Sequence, residues 1–235
     1  MSDMESRLLR PTAGRVAARA VAIAVLSCRG FVDADAAHAG DFWSRVLEWF
    51  FVLGIDGELE DSEKALIAKS LGSLTSQERV DAQWLCESMV VLAWALGRYR
   101  MPSYDQQIVA AEVADTLGLL KPRAETVLAE PSLRPVSELA AFREGVFAVH
   151  WRLNDFRVVR QPIDFSAVAE NAWCGSMSLA LARLIDGDLA IGSTRIDKTT
   201  DSLRRQCLSI VRERHRAADW LLGKSEVFSE VDTST

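Results

Sequence analysis

Thr75-Ser76-Gln77-Glu78 announces a helix start. Thr75 and Glu78, three apart, can each satisfy the other's orphan backbone N–H, the arrangement called a capping box. The helix it opens then reads Trp-Leu-Cys-Glu-Ser-Met-Val-Val-Leu-Ala-Trp-Ala-Leu-Gly from Trp84 to Gly97, almost wholly apolar with one carboxylate, Glu87. A carboxylate in such surroundings needs a partner or loses its charge. This central helix, closed by Gly97 and Pro102, therefore implies a helical body around it and a polar group facing Glu87.

Helical periodicity governs most of the remaining chain. Val16 to Cys28 is an Ala-rich helix started at Pro11 and Thr12 and stopped near Gly30. Phe42, Trp43, Val46, Leu47, Phe50 and Leu53 recur at spacings of three and four, and Gly54 ends their helix. Short helices are expected over Glu63–Leu71 and from about Asp105 to Leu117, followed by a loop punctuated by Pro122, Pro131 and Pro135. Ser137 is the expected cap of a helix from Glu138 to about Phe156. Its main apolar stripe is Leu139, Phe142, Val146, Val149 and Leu153, with a second through Phe147 and Trp151. After Pro162 a helical stretch runs from Phe165 to Ile185, and Asp186-Gly187-Asp188 breaks it ahead of a β-hairpin near residues 189–196. A last helix spans Asp201 to Leu222. No repeat or long linker divides the 235 residues. The expected fold class is all-α: a single compact multi-helix domain over 1–235, with a minor hairpin and irregular tails at 1–11 and 224–235.

Composition narrows the function. A formal charge of -6 and a pI near 5.2 disfavour a general nucleic-acid binder, which needs a basic face, and would steer a protein partner with a basic surface. No stretch reaches the ~20 apolar residues of a membrane span. Val25-Leu26-Ser27-Cys28 loosely resembles a lipoprotein cleavage box, but Arg19 interrupts the run before it, and Asp3 and Glu5 precede it; a cytoplasmic chain is expected. Cys28, Cys86, Cys174 and Cys207 lie apart in apolar contexts, as reduced core thiols do. Gly-x-Ser-x-Gly elbows and glycine-rich phosphate loops are absent, so no catalytic residue and no cofactor is expected. The three histidines, His38, His150 and His215, form no HxxxH or HExxH pair, and no metal site is expected unless distant ones meet. Trp43, Trp49, Trp84 and Trp94 sit at core spacing and are read as packing.

A few residues break the pattern. On the last helix, Arg214 falls in the middle of the apolar face defined by Cys207, Val211, Ala218 and Leu221, and His215 lies near its edge. A guanidinium there calls for a carboxylate, and Glu87 or Glu138 is the expected partner.

Trp84-x-x-Glu87 with Leu92-Ala-Trp94-Ala-Leu-Gly97, Arg134-x-x-Ser137-Glu138-Leu139, His150-Trp151, Glu213 through Leu221 and the terminal Ser229–Thr235 together resemble the bacterial domain of unknown function 4272. The resemblance runs from about Arg15 to the end and is most specific in the final segment. Members of that family are uncharacterised, so the resemblance implies no catalytic residues. The expectation is a non-enzymatic protein-interaction module, with an immunity or antitoxin-like role as one concrete form. The alternative is a ligand or enzymatic pocket built from Glu87, Glu138, His150, Trp151, Glu213, Arg214 and His215.

Overall fold

The computed structural model describes residues 10–171 and 176–235, so expectations for residues 1–9 and for Cys174 lie outside the described residues. The chain is mostly helical with one small antiparallel sheet. It gathers into two compact units, one of residues 10–101 and 108–134, the other of residues 102–107 and 135–235.

In the first unit, the Thr12 hydroxyl accepts from Arg15 N at 3.2 Å and starts α1 (Ala13–Val32). α1 ends two residues past Gly30, near the expected stop. Gly30 also answers a packing need: an added Cβ would sit 2.8 Å from Gln83 N and 2.9 Å from Arg79 O. Those atoms belong to α4 (Ser76–Ala95), which follows α2 (Ala36–Val52) and α3 (Asp61–Ala68), and the glycine lets the two backbones approach. The capping box at Thr75 and Glu78 forms as expected. Val21, Val25 and Leu26 of α1 meet Trp43, Val46 and Phe50 of α2 and Ile67 of α3 in the core, each large side chain contributing ~1.5–3 kcal/mol by leaving water.

Two buried arginines tie this core to its loops. Arg19 grips Glu63 through paired contacts of 2.5 and 2.8 Å and donates to the Glu58 carbonyl at 2.9 Å. Arg29 pairs with Asp33 and donates to the Ser70 carbonyl at 2.9 Å. The unit is completed by α5 (Ala110–Leu117) and α6 (Arg123–Ala129). α6 replaces the loop expected after Pro122; the proline, at φ -57, sits at its N-terminus where a missing N–H costs nothing.

The second unit is built on α7 (Val136–Val159) and α9 (Asp201–Leu221), which run antiparallel: Arg143 meets Asp219, His150 meets His215, and Arg160 nears Asp201. Pro135, not Ser137, holds the N-cap position of α7. The helical stretch expected to run to Ile185 is much shorter, ending with α8 (Phe165–Glu170). The chain instead forms β1 (Leu184–Ile185), β2 (Asp188–Ile191) and β3 (Thr194–Arg195), ordered β1-β2-β3. The predicted hairpin is β2–β3; β1 joins it because Leu184 and Ile185 pair with Leu189 and Asp188. Leu181 then lies over Gly145 of α7, in space a Cβ would fill.

Asp188, the first residue of β2, is fully buried and receives a two-point contact from Arg152 of α7, at 2.7 and 2.6 Å. Backbone N–H groups of Ile163 and Leu189 also reach it, at 3.1 and 2.7 Å. The helix expected from Asp105 begins only at Ala110, because side chains capture the backbone of residues 102–107. Arg214 draws in the carbonyls of Ser103 and Gln106 at 2.9 and 2.7 Å, and Asp105 accepts from Gly192 N at 2.6 Å.

Candidate functional site

The residues of α7 that matter most repeat at intervals of four, three and four: Arg143, Phe147, His150 and Asn154. That spacing puts them on one face, and the face opposes His215 and Asp219, one turn apart on α9. The two histidines, 65 residues apart in sequence, meet with Nδ1 atoms 3.0 Å apart and rings crossed at 77°. Both are almost completely buried.

A consistent proton arrangement follows from the neighbours. Asn154 Nδ2 donates one hydrogen to His150 Nε2 at 3.2 Å and the other to Thr235 Oγ1 at 2.7 Å. The hydrogen of His150 is then on Nδ1, directed at His215 Nδ1, and the hydrogen of His215 is on Nε2. That atom lies 3.1 Å from Asp219 Oδ2 but off the hydrogen-bonding direction. Arg143 Nε holds the other Asp219 oxygen at 2.7 Å, and its guanidinium lies 4.8 Å over the Phe147 ring.

Burial keeps His150 neutral. Burial, reinforced by the neighbouring His215, Arg212 and Arg157, pushes His150 down to about 3. Burial raises the Asp219 carboxyl, but His215 and Arg143 outweigh it and leave it below the usual carboxylate range. A general base works best with a pKa near the operating pH. His150 is far below it, and its free lone pair already accepts from Asn154. The cluster is better suited to joining α7 to α9 than to moving protons. Among the described residues, no group of three or more His, Cys, Asp or Glu could hold a metal ion.

The other anticipated residues have partners of their own. Glu213 faces Arg216 at 2.8 Å and Arg212 at 3.5 Å. Arg214 donates to the carbonyls of Pro102, Ser103 and Gln106. Trp151 stacks on Phe165 at 6.0 Å. Glu138 is exposed in the first turn of α7, where a negative charge suits the helix N-terminus. Glu87 lies in the first unit, fully buried, and accepts from Ile108 N at 3.0 Å. The thiols match the reading of inert core cysteines: burial pushes Cys207 up to about 12 and Cys28 up to about 11.

Sequence reasoning passed over Arg143, Asn154 and Asp219, although the four-three-four spacing around His150 was there to be read. Among the described residues, openings lie along these two helices. One, of about 260 Å³, is lined by His150, Asn154, Arg157, Arg212, Thr233 and Ser234. Another, of about 150 Å³, lies further along the same two helices between Leu153 and Phe156 of α7 and Leu208 of α9. Both fall below the ~300–1,000 Å³ typical of small-molecule sites.

Fold and site together define a mostly helical protein whose buried polar cluster fastens two helices and flanks shallow clefts. The chain belongs to the family of the domain of unknown function 4272, whose family model matches residues 2–174. That span takes in α1 through α8 and closes before the sheet and α9, so the terminal motif from Glu213 onward lies outside the match. No curated protein and no solved structure matches the chain. Among the described residues, no helix is long and apolar enough to cross a membrane.

Proposed function

We propose that this chain is a non-enzymatic protein-interaction module acting in the cytoplasm. The observation that carries the reading is the state of its most reaction-like group. His150 is neutral, buried and capped by Asn154 beside a cleft of only about 260 Å³. Such a group neither accepts a substrate proton readily nor faces room for a small ligand. Docking of another protein needs neither feature, because specific interfaces are built from surface patches carrying a few anchor residues. An immunity or antitoxin-like role is one form of this reading.

The test is affinity capture of the tagged full chain from its native host, followed by co-expression with genes adjacent to its own. A stoichiometric protein partner that survives gel filtration supports the reading. A lone protein recovered under several buffer conditions would count against it. So would a small molecule that stays bound in native mass spectrometry.

A further inference from the structure

The surface of α7 and α9 beyond the histidines carries a charge pattern that the fold uses only in part. On α7, Leu153, Phe156, Arg157 and Arg160 share one face at spacings of three, one and three. On α9, Asp201, Arg204, Arg205 and Leu208 do the same. The two faces border the 150 Å³ groove, whose floor is Leu153, Phe156 and Leu208 and whose rim holds four arginines against one aspartate.

These arginines are not equivalent. Arg204 is engaged, donating to the Ile196 carbonyl at 2.7 Å and to Asp201 at 2.7 Å, and its guanidinium lies 5.2 Å over the Phe156 ring. Among the described residues, the Arg160 side chain reaches the same Asp201, at 3.8 Å. Arg157 and Arg205 are exposed, and neither has an ion-pair or hydrogen-bond partner among the described residues.

We infer that the α7–α9 groove binds an acidic amphipathic segment of a partner protein, seating one apolar side chain on Phe156 and Leu208 while its carboxylates pair with Arg157 and Arg205. The inference rests on the interaction-module reading above and specifies its surface. The cavity has the size of one large side chain, and an apolar floor between basic walls matches an apolar residue flanked by carboxylates. A phosphate backbone would satisfy the walls and leave the floor empty. Helix-in-groove recognition anchors side chains at three- and four-residue intervals, the spacing the groove itself presents. Arginine suits the role because its planar fork takes a carboxylate at two points. The local sign is opposite to the net charge of -6, so this site and a partner drawn by the overall charge are separable.

The experiment measures fluorescence anisotropy of the full chain with a labelled helical peptide of ~15 residues carrying Glu pairs around a central Leu. Comparison probes are the same peptide with that Leu changed to Ser, a Lys-for-Glu version, a DNA duplex, and phosphatidylserine vesicles. The protein is tested as wild type, as Arg157→Glu/Arg205→Glu, and as Arg45→Glu/Arg98→Glu, a control that reverses equal charge in the other unit. The groove predicts binding of the acidic Leu peptide, weakened about tenfold or more by the Leu→Ser change. The groove double variant should cost at least as much, and the control double variant less than about twofold. Unchanged melting temperatures establish that the variants fold. Failure to bind the acidic peptide overturns the inference. So does equal binding by both double variants, or stronger binding of DNA, vesicles or the basic peptide. Host capture repeated with the groove variant separates the two levels. A partner retained equally by wild type and variant refutes the groove and leaves the module reading intact; no partner with either refutes the module reading.

Discussion

Removing the Arg152–Asp188 pair tests how the second unit is held together. Both side chains are fully buried, and Asp188 also receives two backbone N–H groups. Breaking a buried ion pair by neutralising one partner typically costs ~3–5 kcal/mol, because the other charge stays buried without it. Here each survivor keeps some support: Arg152 retains Asp155 at 2.6 Å and the Gln161 carbonyl at 2.9 Å, and Asp188 retains its backbone donors. Asp188→Asn and Arg152→Met should each therefore fall near the lower end, ~3 kcal/mol, which for a chain of this size is a Tm loss of ~6–12 °C. In the double variant Arg152→Met/Asp188→Asn neither member of the pair is left facing a missing partner, and the loss should be less than the sum of the singles by ~1 kcal/mol or more. Urea denaturation followed by far-UV circular dichroism, with thermal melts alongside, measures all three. Strict additivity, or single-variant losses under ~1 kcal/mol, would refute the view that this pair ties α7 to the sheet.

Three further outcomes follow from named contacts. Since His150 is pushed from 6.5 down to about 3, the unfolded chain takes up a proton there that the folded chain refuses. Stability from this group is therefore complete above about pH 6.5 and falls as pH drops towards 3, by up to ~1.4 kcal/mol per pH unit; urea titrations at about pH 7.5 and about pH 5 should show a flatter dependence for His150→Leu than for wild type. Gly30→Ala should destabilise by ~1–3 kcal/mol, because its Cβ meets α4 backbone at 2.8 Å. Gly40→Ala, helical and with nothing within 4 Å of its Cβ, should stabilise by ~0.5–1 kcal/mol; calorimetry giving the two the same sign would contradict the packing argument. Native-state iodoacetamide labelling at about pH 8 should leave Cys28 and Cys207 unmodified, since burial raises both thiols well above that pH.

Local chemistry made much of this fold legible. The Thr75–Glu78 box, the Thr12 cap and the three-and-four periodicity of α2 and α7 act over a few residues, so the sequence displays them directly. What stayed hidden depends on partners far along the chain. Asp105 to Val109 has ordinary helical composition, yet it stays out of a helix because Arg214, over a hundred residues later, captures its neighbours' carbonyls. The close approach of Gly30 to Arg79 and Gln83 leaves no mark in local composition. Arg214 also satisfies itself on the backbone carbonyls of Pro102, Ser103 and Gln106, a kind of partner that its place on a helical face does not announce. The meeting of His150 and His215 was open but undecided, since two helix faces can be computed from sequence and their register against each other cannot.

The treatment of arginine across the chain bears on function more directly than the histidines do. Arg19, Arg29, Arg143 and Arg152 each meet a carboxylate, as burial requires of a cation. Around the α7–α9 groove the rule lapses. Arg157, Arg160, Arg204 and Arg205 share Asp201 as the single acid of that lining. Like charges so close repel, and water screens the repulsion only in part. Arg157 and Arg205 are exposed and have no hydrogen-bond or ion-pair partner among the described residues, so folding gains little from them: Arg157 suits the C-terminal turn of α7, and Arg205 lies in the field of Asp201. An uncharged residue at either position would cost the helices little, so most of the stabilisation these cations can offer is available to an anionic partner. Arg157→Gln/Arg205→Gln should accordingly leave stability unchanged or raise it slightly, by ~0.5 kcal/mol or less, while weakening the acidic peptide. A clear loss of stability would mean the two arginines serve the fold after all.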